Sequence, residues 1–185
     1  MRKPVYFGIF LCLIFSAQLA QAQGAATAGE SPAKFRKNIF VEGLGNGLIL
    51  SANYDMRLKR GVNDGLGFRA GIGGGGLEGT ASNGDYISAN FITIPLSINY
   101  LVGKRRSFFE AGLGITPIYV NADLAVIDNE FYSGKGWGAA GFVNLGYRFQ
   151  PLRNGVMFRL DWTPAITSEG FFAAFFGASL GFSFQ

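Results

Sequence analysis

The sequence predicts an all-β fold, an eight-stranded antiparallel up-and-down transmembrane β-barrel, on three observations. Eight runs alternate apolar residues with small or polar ones. The face opposite the apolar one carries glycine, serine, asparagine and paired charges. Of 185 residues only 15% are charged, while 28 are Gly and 19 are Phe, against roughly 25% charge in an ordinary soluble domain. After the N-terminal region no stretch reaches the roughly 18 apolar residues of a helical span, so a closed barrel is the form that could cross a bilayer with every backbone group paired.

The chain opens on a three-part export signal. Arg2 and Lys3 give a positive start, Val5 to Phe15 an apolar segment, and Ala20-Gln21-Ala22 a small-x-small cleavage site, the layout of a secretory signal peptide over residues 1–22. Cys12 lies inside that apolar segment and leaves with it, so the mature chain carries no thiol and no disulfide. Residues 23–37 are polar, rich in Ala and Gly, contain Pro32, and read as a flexible periplasmic lead-in. The barrel is expected over 38–185 as a single domain.

The first run, Asn38 to Leu44, sets Ile39 and Val41 opposite Glu42 and joins the second through Gly45-Asn46-Gly47. In the second, Leu48, Leu50, Ala52, Tyr54, Met56 and Leu58 share one face, and Ser51, Asn53, Asp55 and Arg57 the other. The third, Gly65 to Gly73, opposes Leu66, Phe68, Ala70 and Ile72 to Gly67, Arg69 and Gly71. The fourth, Phe91 to Val102, opposes Ile92, Ile94, Leu96, Ile98 and Tyr100 to Thr93, Pro95, Ser97 and Asn99. The fifth, Phe108 to Val120, opposes Phe109, Ala111, Leu113 and Ile115 to Glu110, Gly112, Gly114 and Thr116. The sixth, Trp137 to Phe149, opposes Val143, Leu145 and Tyr147 to Asn144, Gly146 and Arg148. The seventh, Val156 to Pro164, opposes Val156, Phe158, Leu160 and Trp162 to Met157, Arg159, Asp161 and Thr163. The eighth, Phe175 to Gln185, opposes Ala178, Leu180, Phe182 and Phe184 to Gly177, Ser179, Gly181 and Ser183. Long connections are expected at Gly74–Asn90, Asn121–Gly136 and Ala165–Gly170, and short ones at Lys59–Asp64, Gly103–Ser107 and Gln150–Gly155. Barrels of the outer membrane pair long outer loops with short periplasmic turns.

A period of two does not fix which face points in, because a soluble barrel around an oily ligand alternates in the same way. The composition of the second face decides. Glu42, Asp55, Arg57, Arg69, Glu110, Arg148, Arg159 and Asp161 all lie on it, and an arginine facing the bilayer midplane costs about 2–4 kcal/mol. Inside, four acids can meet four bases. Glu110 is expected to pair with Arg148, and Asp55 or Asp161 with Arg57, Arg69 or Arg159. This network reads as a structural plug rather than a gate or pore, since eight strands leave an interior only wide enough for side chains. Tyr54, Tyr100, Tyr119, Tyr147, Trp162 and Phe184 fall near strand ends on the apolar face, as an interfacial aromatic girdle would. Charge also separates along the axis. The lead-in and short turns hold Lys34, Arg36, Lys37, Lys59, Arg60, Lys104, Arg105, Arg106 and Arg153, and the long connections Glu78, Asp85, Asp123, Asp128, Glu130 and Glu169. The basic rim is expected to face the periplasm.

The signal, the eight alternating runs and the Leu180-x-Phe182-x-Phe184 ending resemble the small outer-membrane β-barrel family that includes the OmpA transmembrane domain and OmpX. Gln185 follows Phe184 where many relatives end on the aromatic residue. The resemblance implies a monomer in the outer membrane of a Gram-negative envelope, termini in the periplasm and long loops outside. It further implies outer-membrane lipids and the barrel assembly machinery as partners, no nucleic acid, and a structural or surface-interaction role.

Enzymes among such barrels rely on a histidine general base, and this chain has none, so no catalytic residue is assigned and a non-enzyme is expected. No cofactor is expected either. Gly71-Ile72-Gly73-Gly74-Gly75-Gly76 satisfies G-x-G-x-x-G in form, but no helical period follows to receive a dinucleotide phosphate. Asp123, Asp128 and Glu130 lack the spacing of a calcium loop, so no metal is expected. The rival functions are a narrow channel, an exported soluble barrel binding a hydrophobic ligand, and an outer-leaflet enzyme.

Overall fold

A computed structural model describes residues 33–80, 86–127 and 130–185. The expected signal peptide, residues 23–32 of the lead-in, Asp85 and Asp128 lie outside the described residues. Eleven strands follow one another: β1 (Phe35–Leu44), β2 (Leu50–Arg60), β3 (Gly65–Thr80), β4 (Tyr86–Thr93), β5 (Leu96–Lys104), β6 (Ser107–Ile127), β7 (Glu130–Phe149), β8 (Gly155–Trp162), β9 (Ala165–Thr167), β10 (Gly170–Phe172) and β11 (Phe176–Phe184). No α-helix occurs among the described residues.

Every pairing is antiparallel, and β1 bonds both β2 and β11, so the sheet closes on itself as a ring of 8 crossings. Closure gives each of the eight crossings a neighbour on both sides around the ring, the arrangement a sheet in hydrocarbon would require; β10, β3 beyond Gly74 and β7 before Gly141 pair on one side alone. The count of strands exceeds the count of crossings by three, because two crossings are interrupted at proline and the last is split into β10 and β11 across Ala173–Phe175. β4 and β5 are collinear around Pro95, both pairing with β3 and β6, and β8 and β9 are collinear around Pro164, both pairing with β7. Proline cannot donate to a ladder, yet its carbonyl still accepts: Gly71 N–H donates to Pro95 O at 2.9 Å and Val143 N–H to Pro164 O at 3.2 Å. The wall is therefore continuous through both breaks.

The strands are longer than the alternation indicates. β1 begins at Phe35, because Arg36 is wholly buried and donates to Asn63 Oδ1 at 2.8 Å and Leu152 O at 2.6 Å. Two of the expected long loops are corrected. Much of Gly74–Asn90 and Asn121–Gly136 is strand, with β3 paired to β4 as far as Thr80–Tyr86 and β6 to β7 as far as Ile127–Glu130. Glycine at 73–76 has no side chain to alternate, so the period vanishes from the sequence while the ladder persists. Ala165–Gly170 is likewise no plain loop, as β9 and β10 form a small hairpin within and beyond it. The fold class is unchanged by these extensions. Eleven residues of β2 at about 3.3 Å each, tilted by about 40°, rise about 28 Å, close to the height of an apolar belt. β6, at 21 residues, continues about 25 Å further by the same reckoning. Gly71–Gly76, the nominal dinucleotide fingerprint, lies within β3, paired to β2 and β4.

Candidate functional site

The eight charges reach the interior from six strands: Glu42 on β1, Asp55 and Arg57 on β2, Arg69 on β3, Glu110 on β6, Arg148 on β7, Arg159 and Asp161 on β8. Each occupies an inward position of a strand whose alternate residues are exposed. On β2, Ser51, Asn53, Asp55 and Arg57 are buried while Leu50, Ala52, Tyr54 and Leu58 are exposed. Five arginines stand among the largest fully buried side chains of the molecule, and Ile94, Leu113 and Phe158 are 39%, 64% and 38% exposed. This inverts a soluble core, and it overturns the alternative of a barrel with an oily lumen for a hydrophobic ligand.

The interior charges form one connected set of ion pairs. Glu110 is its hub, meeting Arg69 at 3.3 Å, Arg148 at 2.8 Å and Arg159 at 3.1 Å. Glu42 meets Arg69 at 3.3 Å and Arg159 at 2.7 Å. Asp55 meets Arg57 at 2.8 Å and Arg148 at 2.9 Å, and also accepts from Asn99 at 2.7 Å and Asn38 at 3.0 Å. Asp161 touches Arg159 at 2.8 Å, a charge contact in which its carboxylate accepts no directed hydrogen bond. Four carboxylates thus balance four guanidiniums. Balance is necessary here, because a lone buried ion costs several kcal/mol and is recovered only through good geometry and further hydrogen bonds. Each arginine suits that task, offering five donors in a rigid fork to several carboxylates at once.

Three features of this interior escape the alternation pattern. The first is Phe40, buried at an inward position of β1 with the Arg69 and Arg159 guanidiniums 5.6 and 5.8 Å from its ring centroid. The ring offers the two cations its negative face. The second is the matching of glycine to bulk across the ladder. Gly67 pairs with Arg57, Gly146 with Asp161 and Gly181 with Phe40. A Cβ at these glycines would sit 2.0 Å from the Arg57 guanidinium, 2.2 Å from Asp161 Oδ1 and 2.3 Å from Phe40 Cβ. These three large inward side chains lie over the bare backbone of a neighbour. Such pairs could be found in the sequence only once the register is known.

The third feature is the turn Gly45–Gly47, expected as a simple connection but buried throughout. It folds inward, where Thr116 Oγ1 donates to Asn46 O at 2.9 Å and Thr93 Oγ1 to Gly47 O at 3.1 Å. Reversal within so few residues puts Leu44 and Leu48 at φ of 60° and 73°, conformations that cost about 1–3 kcal/mol for such side chains. Anchoring by the two threonines offsets that strain. The turn lies beside Glu42, whose carboxylate stands 2.7 Å from where a Gly45 Cβ would be. At the opposite end Arg36 and Gln150 bond the 61–64 and 150–154 turns, with Gln150 Nε2 donating to Asn63 O at 3.3 Å.

The outer face has the complementary character. Leu50, Ile72, Ile98, Leu113, Val156 and Leu180 are all more than half exposed. Tyr54, Tyr100, Tyr147 and Trp162 are exposed, but Tyr54, expected near a strand end, lies in the middle of β2 and so belongs to no girdle there. Tyr119 packs on Trp137 with ring centroids 5.2 Å apart. Among the described residues no cluster of His, Cys, Asp or Glu is arranged to hold a metal ion.

No family model matches the chain, and no curated protein is similar to it at a significant level. Among solved structures it is similar to the N-terminal β-barrel domain of Pseudomonas aeruginosa OprF, at 12% identity and a TM-score of 0.42 over 81% of this chain and 96% of that one. It is also similar to Ail, the attachment invasion locus protein of Yersinia pestis, solved in complex with the heparin analogue sucrose octasulfate. There the identity is 11% and the TM-score 0.45, over 82% of this chain and 97% of the other. The barrel assignment for this chain rests on its own closed ladder.

Proposed function

We propose that this chain is an integral outer-membrane β-barrel, non-enzymatic and monomeric, whose role is structural or surface-directed and whose interior is plugged. The observation that carries the reading is the inversion of polarity: an apolar outer wall around eight buried, mutually neutralising charges. Water would penalise that exterior and hydrocarbon would not. The ion pairs, the inward turn Gly45–Gly47 and the Arg36 contacts support a plug over a channel, since together they place bonded groups across the lumen at three heights. The β6–β7 hairpin supports a surface role, as it continues past the belt-length strands and, before Gly141, β7 pairs with β6 alone and leaves its other edge open to an outside partner. On this reading the short turns face the periplasm and the assembly machinery and outer-membrane lipids are its partners.

The test is the membrane fraction of a Gram-negative host expressing the full chain. Resistance to carbonate extraction and a heat-modifiable shift in gel migration are expected, together with no stepwise conductance in planar bilayers. Release by carbonate would defeat the membrane reading, and regular conductance steps would replace the plug with a channel.

A further inference from the structure

The ends of β1, β2, β5 and β6 that meet at the short turns carry a second organised feature, a belt of cations. Lys37, Arg60 and Lys104 lie on the outward face, each about one strand step beyond exposed apolar residues: Ile39 after Lys37, Leu58 before Arg60 and Val102 before Lys104. Arg60 sits over the outward Phe35 ring at 4.8 Å from its centroid. Lys59, Arg105 and Arg106 are exposed just beyond. Asp64 is the acidic side chain exposed at this end among the described residues. Among the described residues Lys37, Arg60 and Lys104 make no ion pair, in contrast to the interior, where every arginine of the network has a carboxylate.

We infer that this belt binds the anionic headgroups of phospholipids in the leaflet that surrounds the short turns, and so fixes the barrel's height and tilt there. The inference rests on the transmembrane reading proposed above. Its geometry is that of an interface: cations on long stems directly below hydrocarbon-facing side chains reach headgroup phosphates without withdrawing those side chains from the acyl chains. Its electrostatics are those of a polybasic segment, whose attraction to an anionic surface grows with each Lys or Arg near it and falls within a Debye length. The other rim does not share this property, since Glu78 and Glu169 are exposed there.

The experiment uses the mature chain refolded into nanodiscs of equal phosphatidylcholine and phosphatidylglycerol, with native mass spectrometry counting the lipids retained by the barrel. An excess of phosphatidylglycerol is expected, shrinking as salt rises. It should fall roughly five-fold for each cation removed in Lys37→Gln, Arg60→Gln and Lys104→Gln at low salt, and stay unchanged in Glu78→Gln/Glu169→Gln. Heat-modifiable migration identifies the folded fraction. Should the triple variant fail to fold, the single variants and the salt series on the unaltered chain carry the same comparison. An equal lipid ratio before and after substitution, or an unaltered chain with no phosphatidylglycerol excess that instead pellets with insoluble peptidoglycan, would overturn the inference while leaving the barrel standing. A chain that never enters the bilayer would overturn the transmembrane reading beneath it.

Discussion

The inside and the outside of this barrel are made from the same strands and obey opposite rules. On β2 the backbone is equally well bonded on both sides, yet Leu50, Tyr54 and Leu58 project outward with nothing polar to meet. One residue away in each case, Ser51, Asp55 and Arg57 project inward with many partners. On the transmembrane reading proposed above, the outside tolerates any apolar shape, because lipid adapts to it. The inside tolerates almost none, because each charge of the network meets an opposite one and Arg57, Asp161 and Phe40 each lie against a glycine. Stability outside is therefore a matter of polarity, and stability inside a matter of pairing.

That contrast can be broken most sharply at Glu110. Glu110→Ala would leave Arg69, Arg148 and Arg159 with one acid fewer at the hub, and a loss of about 3–5 kcal/mol is expected, read by reversible urea unfolding in bilayers with gel migration as the signal. A change below about 1 kcal/mol would mean that the ion pairs are no more valuable than exposed ones. Next in size is Leu180→Arg at the centre of β11, expected to cost about 2–4 kcal/mol, against about 0–1 for Val102→Arg near the rim. Equal costs at the two positions would remove lipid as the outer solvent.

Gly146→Ala tests the packing of the interior without touching charge. Its Cβ would meet Leu160 O and Asp161 Oδ1 at 2.2 Å, and overpacking of about 1–3 kcal/mol follows. The outward Ala111→Gly, measured alongside, should shift the unfolding midpoint far less. Smallest is Asp161→Asn, expected at about 1 kcal/mol, because Asp161 has a single close arginine and no directed hydrogen bond. A loss as large as that at Glu110 would show that the network counts charges and not contacts.

Much of this architecture was legible before any coordinates. The period of two sorted Glu42, Asp55, Arg57, Arg69, Glu110, Arg148, Arg159 and Asp161 onto one face, and the cost of arginine in hydrocarbon chose the inside for that face. The Glu110–Arg148 contact follows from two inward charges on neighbouring strands. The rest needed three-dimensional placement. Glu42 and Arg159 are separated by 117 positions and meet only because β1 bonds β11 and closes the ring. Arg36 hid in a segment that reads as linker, since one inward arginine amid polar residues has no periodic signature. The strand character of 74–80 was hidden by glycines, and the burial of Gly45–Gly47 by the ordinary look of a Gly-Asn-Gly turn.

By itself the sequence determined the number of crossings, the face the side chains of the alternating runs take and the balance of the eight charges on the inner one, because alternation and transfer cost are properties of residues one at a time. Tertiary structure alone decided which carboxylate meets which guanidinium, which glycine yields to which large neighbour, and that one turn folds inward. Those depend on register and closure, which are set by the whole ring at once and are written in no single stretch of chain.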